Sequence, residues 1–214
     1  MTIRLEKMIP LPLLEQDTTG SEVWGAESIH FEKGNSYIVE APSGRGKTSL
    51  LSVIYGIRKD YSGLVYLDDK NIADFTWKQW SLTRKERLSF IFQGLELFDN
   101  LTALENIQLK NSISNHHSLR RIKEMAEMLR IEEFLQRKAG ILSFGQQQRL
   151  AILRALCQPF DYLLADECFS HIDRENSLNA FRVIREECES QGAGLILTSL
   201  NGSDQLDAHV RLQL

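Results

Sequence analysis

The chain is organised around one stretch, Ala41-Pro42-Ser43-Gly44-Arg45-Gly46-Lys47-Thr48, which is followed directly by Ser49. The apolar run Tyr37-Ile38-Val39 precedes it, and a helix-compatible segment, 49–54, follows it. A strand, a glycine-bearing loop and a helix in this order predict a phosphate-binding loop. The reason is that backbone N–H groups and the positive end of the helix dipole both favour a bound anion.

The residue types within the loop fit this chemistry. Lys47 is expected to reach the outer phosphates, and Thr48 is expected to place its hydroxyl on a magnesium ion. Gly44 and Gly46 allow the backbone to approach a ligand closely or to adopt positive φ. Ala41 stands where the pattern GxxxxGK[ST] has its first glycine, so the opening turn must be one that tolerates a small Cβ.

Composition limits the class of protein. A chain of 214 residues can form one sizeable core, or one core with a small appended subdomain. The net charge of -4 argues against a general electrostatic grip on nucleic acid or on an anionic membrane. Three cysteines without paired spacing, at 157, 168 and 188, indicate neither disulfides nor a zinc site and fit a reducing cytosol. No signal peptide or spanning segment is recognised, so we expect a soluble chain.

Strand patterns surround the loop. The runs 29–31 and 37–39 flank Gly34-Asn35, which predicts a β-hairpin. The run 63–67 predicts another strand, closed by a turn at 68–71. The two aspartates of that turn could suggest a metal site, but a solvated turn is the preferred interpretation.

The middle of the chain changes from strand to helix. The apolar run 88–92 predicts a buried strand that places Gln93 at its carboxyl end, where ligands bind in open α/β sheets. Apolar residues at three- and four-residue steps then predict a mostly helical insert over 94–141. His116 and His117 lie in a polar part of this insert, and we interpret them as loop residues without a third metal ligand nearby.

Two further segments carry polar residues at the ends of regular elements. Segment 142–149 leads into an amphipathic helix, with Ser143 and Gly145 near its start, which predicts a second anion-binding helix N-terminus. Segment 161–167 is an apolar strand that ends in Asp166 and Glu167. An acidic pair after a strand can be a surface turn, but after a phosphate loop it is the expected place for a magnesium-associated aspartate. The remaining predicted elements are a helix through 181–188 and strands at 195–198 and 209–212.

Together these motifs resemble, in order and spacing, those of the ATP-binding cassette (ABC) ATPases, and the resemblance covers nearly the whole chain. Leu142-Ser143-Phe144-Gly145-Gln146 resembles the family's signature, which is more specific than a phosphate loop. The resemblance implies these roles: Ala41 to Thr48 as Walker A loop, Gln93 as Q-loop glutamine, Ser143 to Gln146 as signature, Asp166 as Walker B aspartate, Glu167 as catalytic glutamate and 170–173 as D-loop.

The resemblance implies an α/β fold, a P-loop NTPase core with an N-terminal antiparallel β subdomain and a helical insert. Residues 1–214 would be one domain, with 1–93 and 142–214 as nucleotide-binding core and 94–141 as helical subdomain. ATP and Mg²⁺ are the implied ligands. Thr48, Gln93 and Asp166 would lie at the metal, Lys47 at the phosphates, and Glu167 at the attacking water.

The family also implies partners. Two cassettes meet head to tail, so that Ser143, Gly145 and Gln146 of one chain approach the γ-phosphate held by Lys47 of the other. A separate membrane permease would be contacted through the insert, at the cytoplasmic face of the membrane, and no nucleic-acid partner is expected. Segments 100–106 and 146–149 are most similar to stand-alone cassettes of the lipoprotein-release, macrolide-export and division-associated type.

Four positions depart from the family pattern. Ala41 replaces a glycine of the phosphate loop, Phe144 replaces a glycine of the signature, and Cys168 replaces a proline. Leu200 stands where the family has a histidine that contacts the γ-phosphate, so we expect slow hydrolysis. His171 is an alternative source of an imidazole.

Three hypotheses follow from the sequence. The leading one is a transporter ATPase subunit, and the second is a nucleotide-dependent switch module that hydrolyses ATP slowly or not at all. The third is a soluble ABC ATPase of DNA repair or translation, which the net charge of -4 disfavours. The residue that stacks on adenine is not identified, and Trp24 is interpreted as a core residue.

Overall fold

The computed structural model describes residues 1–200 and 206–214. Its strands are β1 (Ile3–Pro10), β2 (Ile29–Phe31), β3 (Ser36–Glu40), β4 (Tyr61–Leu67), β5 (Lys70–Asn71), β6 (Leu88–Ile91), β7 (Tyr162–Asp166), β8 (Gly194–Ser199) and β9 (Val210–Gln213). Its α-helices are α1 (Lys47–Ile54), α2 (Trp77–Glu86), α3 (Ala103–Asn111), α4 (Leu119–Met128), α5 (Phe144–Leu156) and α6 (Arg174–Gln191). Short 3₁₀ turns connect several of these elements.

The strands form two sheets. Four of them make an antiparallel sheet in the order β2-β1-β4-β5, and five make a parallel sheet in the order β6-β7-β8-β3-β9. Every residue of β3, β6 and β7 is buried, as expected for parallel strands covered on both faces. The predicted α/β class, with an antiparallel sheet at the N-terminal side and helices between β6 and β7, is confirmed.

The predicted hairpin around Gly34-Asn35 is wrong. β2 pairs with β1 in the antiparallel sheet, whereas β3 pairs with β8 and β9 in the parallel sheet. The chain therefore passes from one sheet to the other at this turn. β3 is buried along its whole length and has an apolar centre, so parallel neighbours on both sides stabilise it more than a solvent-facing hairpin partner would.

The acidic turn between β4 and β5 has a structural role. Arg87 donates from Nη2 to Asp68 Oδ2 at 2.8 Å and from Nε to Asp161 Oδ2 at 2.8 Å. The backbone N–H of Thr2 donates to the other oxygen of Asp68 at 2.9 Å. Asp68 has a φ of +54°, a conformation that aspartate tolerates in turns. The interpretation of this turn as structural is therefore supported.

Two apolar cores hold the sheets and helices together. One lies between the antiparallel sheet, α1, α2 and one face of the parallel sheet, and includes Phe31, Leu51 and Trp80. The other lies under α3 to α6, and includes Ile107 and Leu153. Within residues 1–200 and 206–214, no helix is long and apolar enough to cross a lipid bilayer.

Candidate nucleotide site

The candidate site lies at the carboxyl edge of the parallel sheet, where β3, β6, β7 and β8 end. Crossover connections leave a crevice at this edge of open α/β sheets, and ligands bind there. A cleft at this place is lined by Ser43, Gly44, Gly46, Lys47, Thr48, Ser49, Gln93 and Glu167, together with Pro12, Leu13, Gln16 and Arg58. Eight residues predicted from the sequence therefore meet in one cleft.

Gly46 shapes the loop for two independent reasons. Its φ of +96° lies in the left-handed region, which side chains rarely adopt. A Cβ on Gly46 would also lie 2.6 Å from Leu13 Cδ1 and 2.9 Å from Trp24 Cζ2. The loop therefore packs directly on two buried side chains, and α1 begins at the next residue, Lys47. Ala41 does not have a positive φ, so the loop does not require glycine at this position.

Lys47 is held by the loop that it belongs to. Its ammonium donates to the backbone oxygens of Ala41 at 2.6 Å and of Pro42 at 2.9 Å. It also lies 3.2 Å from Glu167 Oε1, and Lys47 is only 4% exposed. The positive charge expected to face the outer phosphates is thus paired with the carboxylate expected to act on water.

Asp166 and Glu167, at the end of β7, have different surroundings. The Asp166 side chain is buried, and its Oδ1 accepts a hydrogen bond of 2.7 Å from the Thr198 hydroxyl. Thr198 belongs to β8, the strand between β7 and β3. Glu167 has a φ of +45°, and its N–H donates to the backbone oxygen of Thr198 at 3.2 Å. Backbone strain of this kind in a non-glycine residue is concentrated at functional sites, where the surrounding structure maintains it.

Asp166 and its neighbours offer oxygen atoms that could bind a cation. Burial raises the pKa of its carboxyl group, and hydrogen bonds from Thr198 and Thr48 oppose this rise. A buried carboxylate next to a threonine hydroxyl, with the Gln93 amide in the same cleft, gives a set of oxygen donors. Magnesium prefers oxygen ligands, so these residues fit the ion that the sequence implies.

Arg58 is a cleft residue that the sequence did not suggest. Its Nη1 donates to the Ser49 hydroxyl at 2.7 Å, and its remaining nitrogens bind the Asp60 carboxylate. Pro12, Leu13 and Gln16 enter the cleft from the loop after β1. No local motif marks these residues, because long-range packing alone brings them to the phosphate loop.

Arg45 and Trp24 lie beside the cleft. The Trp24 indole N–H donates to the backbone oxygen of Arg45 at 3.1 Å, and the ring is buried in the core. Arg45 in turn donates to the backbone oxygen of Asp17 at 2.9 Å. The interpretation of Trp24 as a core residue is confirmed.

The segment predicted to be a second anion-binding site begins helix α5 with a capping box. The Ser143 hydroxyl accepts from the Gln146 N–H at 3.4 Å, and the Gln146 side chain accepts from the Ser143 N–H at 2.8 Å. This reciprocal capping box fixes the first turn of the helix. A Cβ on Gly145 would lie 3.3 Å from the backbone oxygen of His171, so the two segments are in close contact.

Phe144 and His171 also meet on this surface. Their rings make an edge contact with centroids 4.6 Å apart, and Phe144 remains half exposed. The His171 imidazole is hydrogen-bonded through Nδ1 to the Ser170 hydroxyl at 2.8 Å. Ser143, Gly145, Gln146 and His171 are not among the residues that line the Lys47 cleft.

The other departures from the family pattern are local. Leu200 directly follows β8 and is 44% exposed, so an apolar side chain stands at the carboxyl edge of the sheet. The thiol of Cys168 is buried, which raises its pKa, and like Cys157 and Cys188 it is not in a disulfide.

Comparison with known proteins assigns the family. Residues 26–170 match the ABC transporter family model, and this match covers more than half of the chain. The chain therefore belongs to the ABC transporter family, as an ATP-binding cassette.

Curated relatives agree with this assignment. The glucose import ATP-binding protein GlcV of Saccharolobus solfataricus is 33% identical over 180 residues, which are 83% of this chain and 51% of GlcV. The uncharacterized ABC transporter ATP-binding protein MJ0796 of Methanocaldococcus jannaschii is 30% identical over 179 residues, 80% of this chain and 76% of MJ0796. The chain spans about half the length of the first curated relatives it matches.

Solved structures show the same fold. The dimeric structure of the MJ0796 cassette aligns with a TM-score of 0.79 at 24% identity, covering 99% of this chain and 94% of that one. A dimeric post-hydrolysis state of MJ0796 bound to ADP and Pi aligns with a TM-score of 0.74 at 26% identity, covering 92% and 87%. The predicted ABC ATPase fold is confirmed.

Proposed function

We propose that this chain binds and hydrolyses ATP with Mg²⁺ as a head-to-tail dimer, and that it drives or gates a separate membrane permease. The observation that carries the proposal is the meeting of Lys47, Thr48, Gln93 and Glu167 in one cleft, with Asp166 buried beside it. Each of these side chains has a distinct task in phosphoryl transfer. The dimeric MJ0796 structures support the assembly.

The chain's own residues supply most of the catalysis. Lys47 moves its positive charge from Glu167 to the β and γ phosphates when the nucleotide binds. Release from Lys47 leaves Glu167 able to orient a water molecule and accept its proton. Thr48, Gln93 and Asp166 would hold Mg²⁺, which neutralises charge on the phosphate oxygens. Thr198 keeps the Asp166 carboxylate oriented through the 2.7 Å hydrogen bond.

The signature residues act on a partner's nucleotide in this proposal. Ser143, Gly145 and Gln146 cap α5, where N–H groups and the helix dipole attract an anion, yet they do not line their own chain's cleft. A second copy of the chain, or a related cassette, would bring its Lys47-held γ-phosphate to them.

The helical segment is the proposed link to the permease. We assign 94–141 as the helical subdomain and 1–93 with 142–214 as the nucleotide-binding core of a single domain. Phe98, Leu109 and Ile113 are exposed on this segment, at 56%, 47% and 53%. Large exposed apolar side chains are one mark of a surface that contacts a partner. The chain would then be cytoplasmic and bound to the inner face of the membrane through its permease.

The subtype is a further part of the proposal. Segments 100–106 and 146–149 are similar to stand-alone cassettes for lipoprotein release, macrolide export and cell division, so we propose an export- or division-type system. A competing function is a nucleotide-dependent switch that turns over slowly, because Leu200 supplies no hydrogen-bond donor at the carboxyl edge.

Lys47→Ala tests the site itself. We expect ATP affinity, measured by fluorescence titration with Mg²⁺, to fall at least tenfold, since the point charge facing the phosphates is lost. Lys123→Ala, on the exposed face of α4, is the matched control and should bind ATP like the wild type. Equal affinities in both variants would show that the phosphate-loop assignment is wrong. The steady-state rate of phosphate release then distinguishes an ATPase from a slowly hydrolysing switch. Co-purification with a membrane protein tests whether the chain binds a permease.

A further inference from the structure

A polar cluster lies away from the nucleotide cleft, between the segment before α4 and helix α6. It contains His116, His117 and Glu187, whose potential ligand atoms all lie within 4.8 Å of one another. His116 and His117 lie in a loop, as predicted, but the expectation that no third potential ligand lies nearby is wrong. Glu187 is about 70 positions away along the chain and reaches the histidines through the packing of α4 against α6.

The ring nitrogens of this cluster lack suitable partners. The Nε2 atoms of His116 and His117 are both buried, and neither makes a hydrogen bond of acceptable geometry to residues 1–200 or 206–214. They lie 3.7 Å and 3.1 Å from the same oxygen, Oε1 of Glu187, whose side chain is 2% exposed. Buried polar atoms are nearly always satisfied in folded proteins, so two unsatisfied nitrogens that face one carboxylate oxygen indicate a missing ligand.

The separations fit a metal ion. Metal–ligand bonds to histidine nitrogen and carboxylate oxygen are about 2.0–2.2 Å for zinc, so tetrahedral ligand atoms are roughly 3.3–3.6 Å apart. The observed distances to Oε1, 3.1 Å and 3.7 Å, lie on either side of this range. All three potential ligand atoms lie within 4.8 Å of one another, so a single ion could contact them after local side-chain adjustment.

The donor atoms also fit a metal ion. The cluster offers two imidazole nitrogens and one carboxylate oxygen. Zinc takes both kinds of ligand in proteins.

The surrounding residues hold the cluster in place. Gln191 donates to Glu187 Oε1 at 2.9 Å, and Arg121 approaches the other oxygen, Oε2, at 3.4 Å. Asn111 binds the backbone of His117 twice, through its amide nitrogen at 2.9 Å and its amide oxygen at 2.8 Å. Outer contacts of this kind orient metal ligands in proteins.

We propose that His116, His117 and Glu187 form a binding site for a divalent transition-metal ion such as Zn²⁺. Imidazole nitrogen with a single carboxylate selects such ions over Mg²⁺, which requires mostly oxygen ligands. The His116 and His117 side chains are 20% and 12% exposed, so the cluster lies just beneath the surface. A bound ion would tie the start of α4 to α6.

Titration of the full-length, chelator-treated chain with ZnCl₂ tests this proposal, with a chromophoric chelator as competitor. The wild type should bind one more zinc per chain than His117→Gln or Glu187→Gln. Loss of an outer contact already weakens metal binding 10–100-fold, so loss of a ligand should weaken it more than about hundredfold. Zinc at one hundred times its dissociation constant should raise the wild-type melting temperature by about 5–10 °C. Mg²⁺ should give no comparable rise at this site.

His30→Gln is the matched control, because His30 is an exposed histidine outside the cluster, with its ring 2.9 Å from the Ser28 hydroxyl. It should retain the zinc equivalent. His116→Gln provides a second ligand variant if the buried Glu187→Gln does not fold, and ATP binding shows that each variant is native. The proposal is overturned if the wild type does not bind zinc. It is also overturned if the folded ligand variants bind zinc as well as the wild type does.

Discussion

Replacing Glu167 with glutamine should strengthen ATP binding while it stops hydrolysis. In the structure Glu167 Oε1 lies 3.2 Å from the Lys47 ammonium, with side chains 13% and 3% exposed. An incoming triphosphate must take Lys47 from this carboxylate and also tolerate its negative charge. Glutamine has nearly the same shape but no charge, so both obstacles are removed.

The size of the effect follows from the geometry. Two unit charges 3.2 Å apart attract by about 5 kcal/mol at an effective dielectric constant of about 20. Desolvation offsets part of this, and hydrogen bonds to charged groups contribute about 1.5–3 kcal/mol net. At about 1.4 kcal/mol per tenfold, Glu167→Gln should bind Mg-ATP about ten- to a hundredfold more tightly.

The assay combines calorimetric titration with light scattering and phosphate release. Turnover should fall at least a hundredfold because the base is lost, and ATP-bound dimers should accumulate. Glu167→Asp keeps the charge and should gain little affinity. Glu86→Gln is a matched control, since it breaks an exposed contact with Lys85 at 3.9 Å that carries little energy.

An affinity that is unchanged or weaker in Glu167→Gln would refute the idea that the nucleotide competes with Glu167 for Lys47. Unchanged turnover would refute its role as base. A variant that stays monomeric at saturating ATP would count against closure of two chains across the signature helix.

Three further predictions concern other parts of the molecule. Leu200→His should raise the rate of phosphate release about a hundredfold if a hydrogen-bond donor at that strand end contacts the γ-phosphate. Fast hydrolysis by the wild type that persists in His171→Ala would contradict the expected need for such a donor. Thr198→Val removes the 2.7 Å hydrogen bond to buried Asp166 and should lower the free energy of unfolding in urea by about 1.5–3 kcal/mol, whereas a loss below about 0.5 kcal/mol would show that the bond contributes little. The pKa of Glu187 falls from 4.5 to about 2 on folding, so its contribution, about 3 kcal/mol, is present above pH 4.5 and is lost as the pH falls towards 2. The melting temperature of the wild type should therefore approach that of Glu187→Gln over this pH range. A difference between the two melting temperatures that stays constant with pH would contradict the stabilising role of the Glu187 carboxylate.

The parts of the site that the sequence predicts are those encoded by short segments. The loop at 41–48, the carboxylates after β7 and the cap of α5 each depend on a strand or helix end and on residues within about eight positions. Such local signals remain valid in the folded protein, because they depend on the backbone conformation of the segment itself and not on its distant neighbours.

The features that the sequence missed depend on contacts between distant segments. Gly34-Asn35 is a good turn, but whether the next strand pairs with β2 or enters another sheet depends on partners that come much later in the chain. Arg58 reaches the cleft and Glu187 reaches His117 only through packing. Spacing along the chain carries no signal for either contact.

A single copy of the chain holds the two segments predicted to bind phosphate in separate places. Lys47 and its loop face the cleft, whereas Ser143 and Gly145 lie at the start of α5 outside it, where Gly145 approaches the backbone of His171. Phe144 leaves half of its ring uncovered on that same surface. Because an N-capped helix start and an exposed aromatic ring lie together, closure against the nucleotide of a second chain would use both the attraction for the phosphate and the burial of the ring. The glycine-to-phenylalanine change in the signature would then strengthen apolar contact in the closed dimer at a position where the family has none.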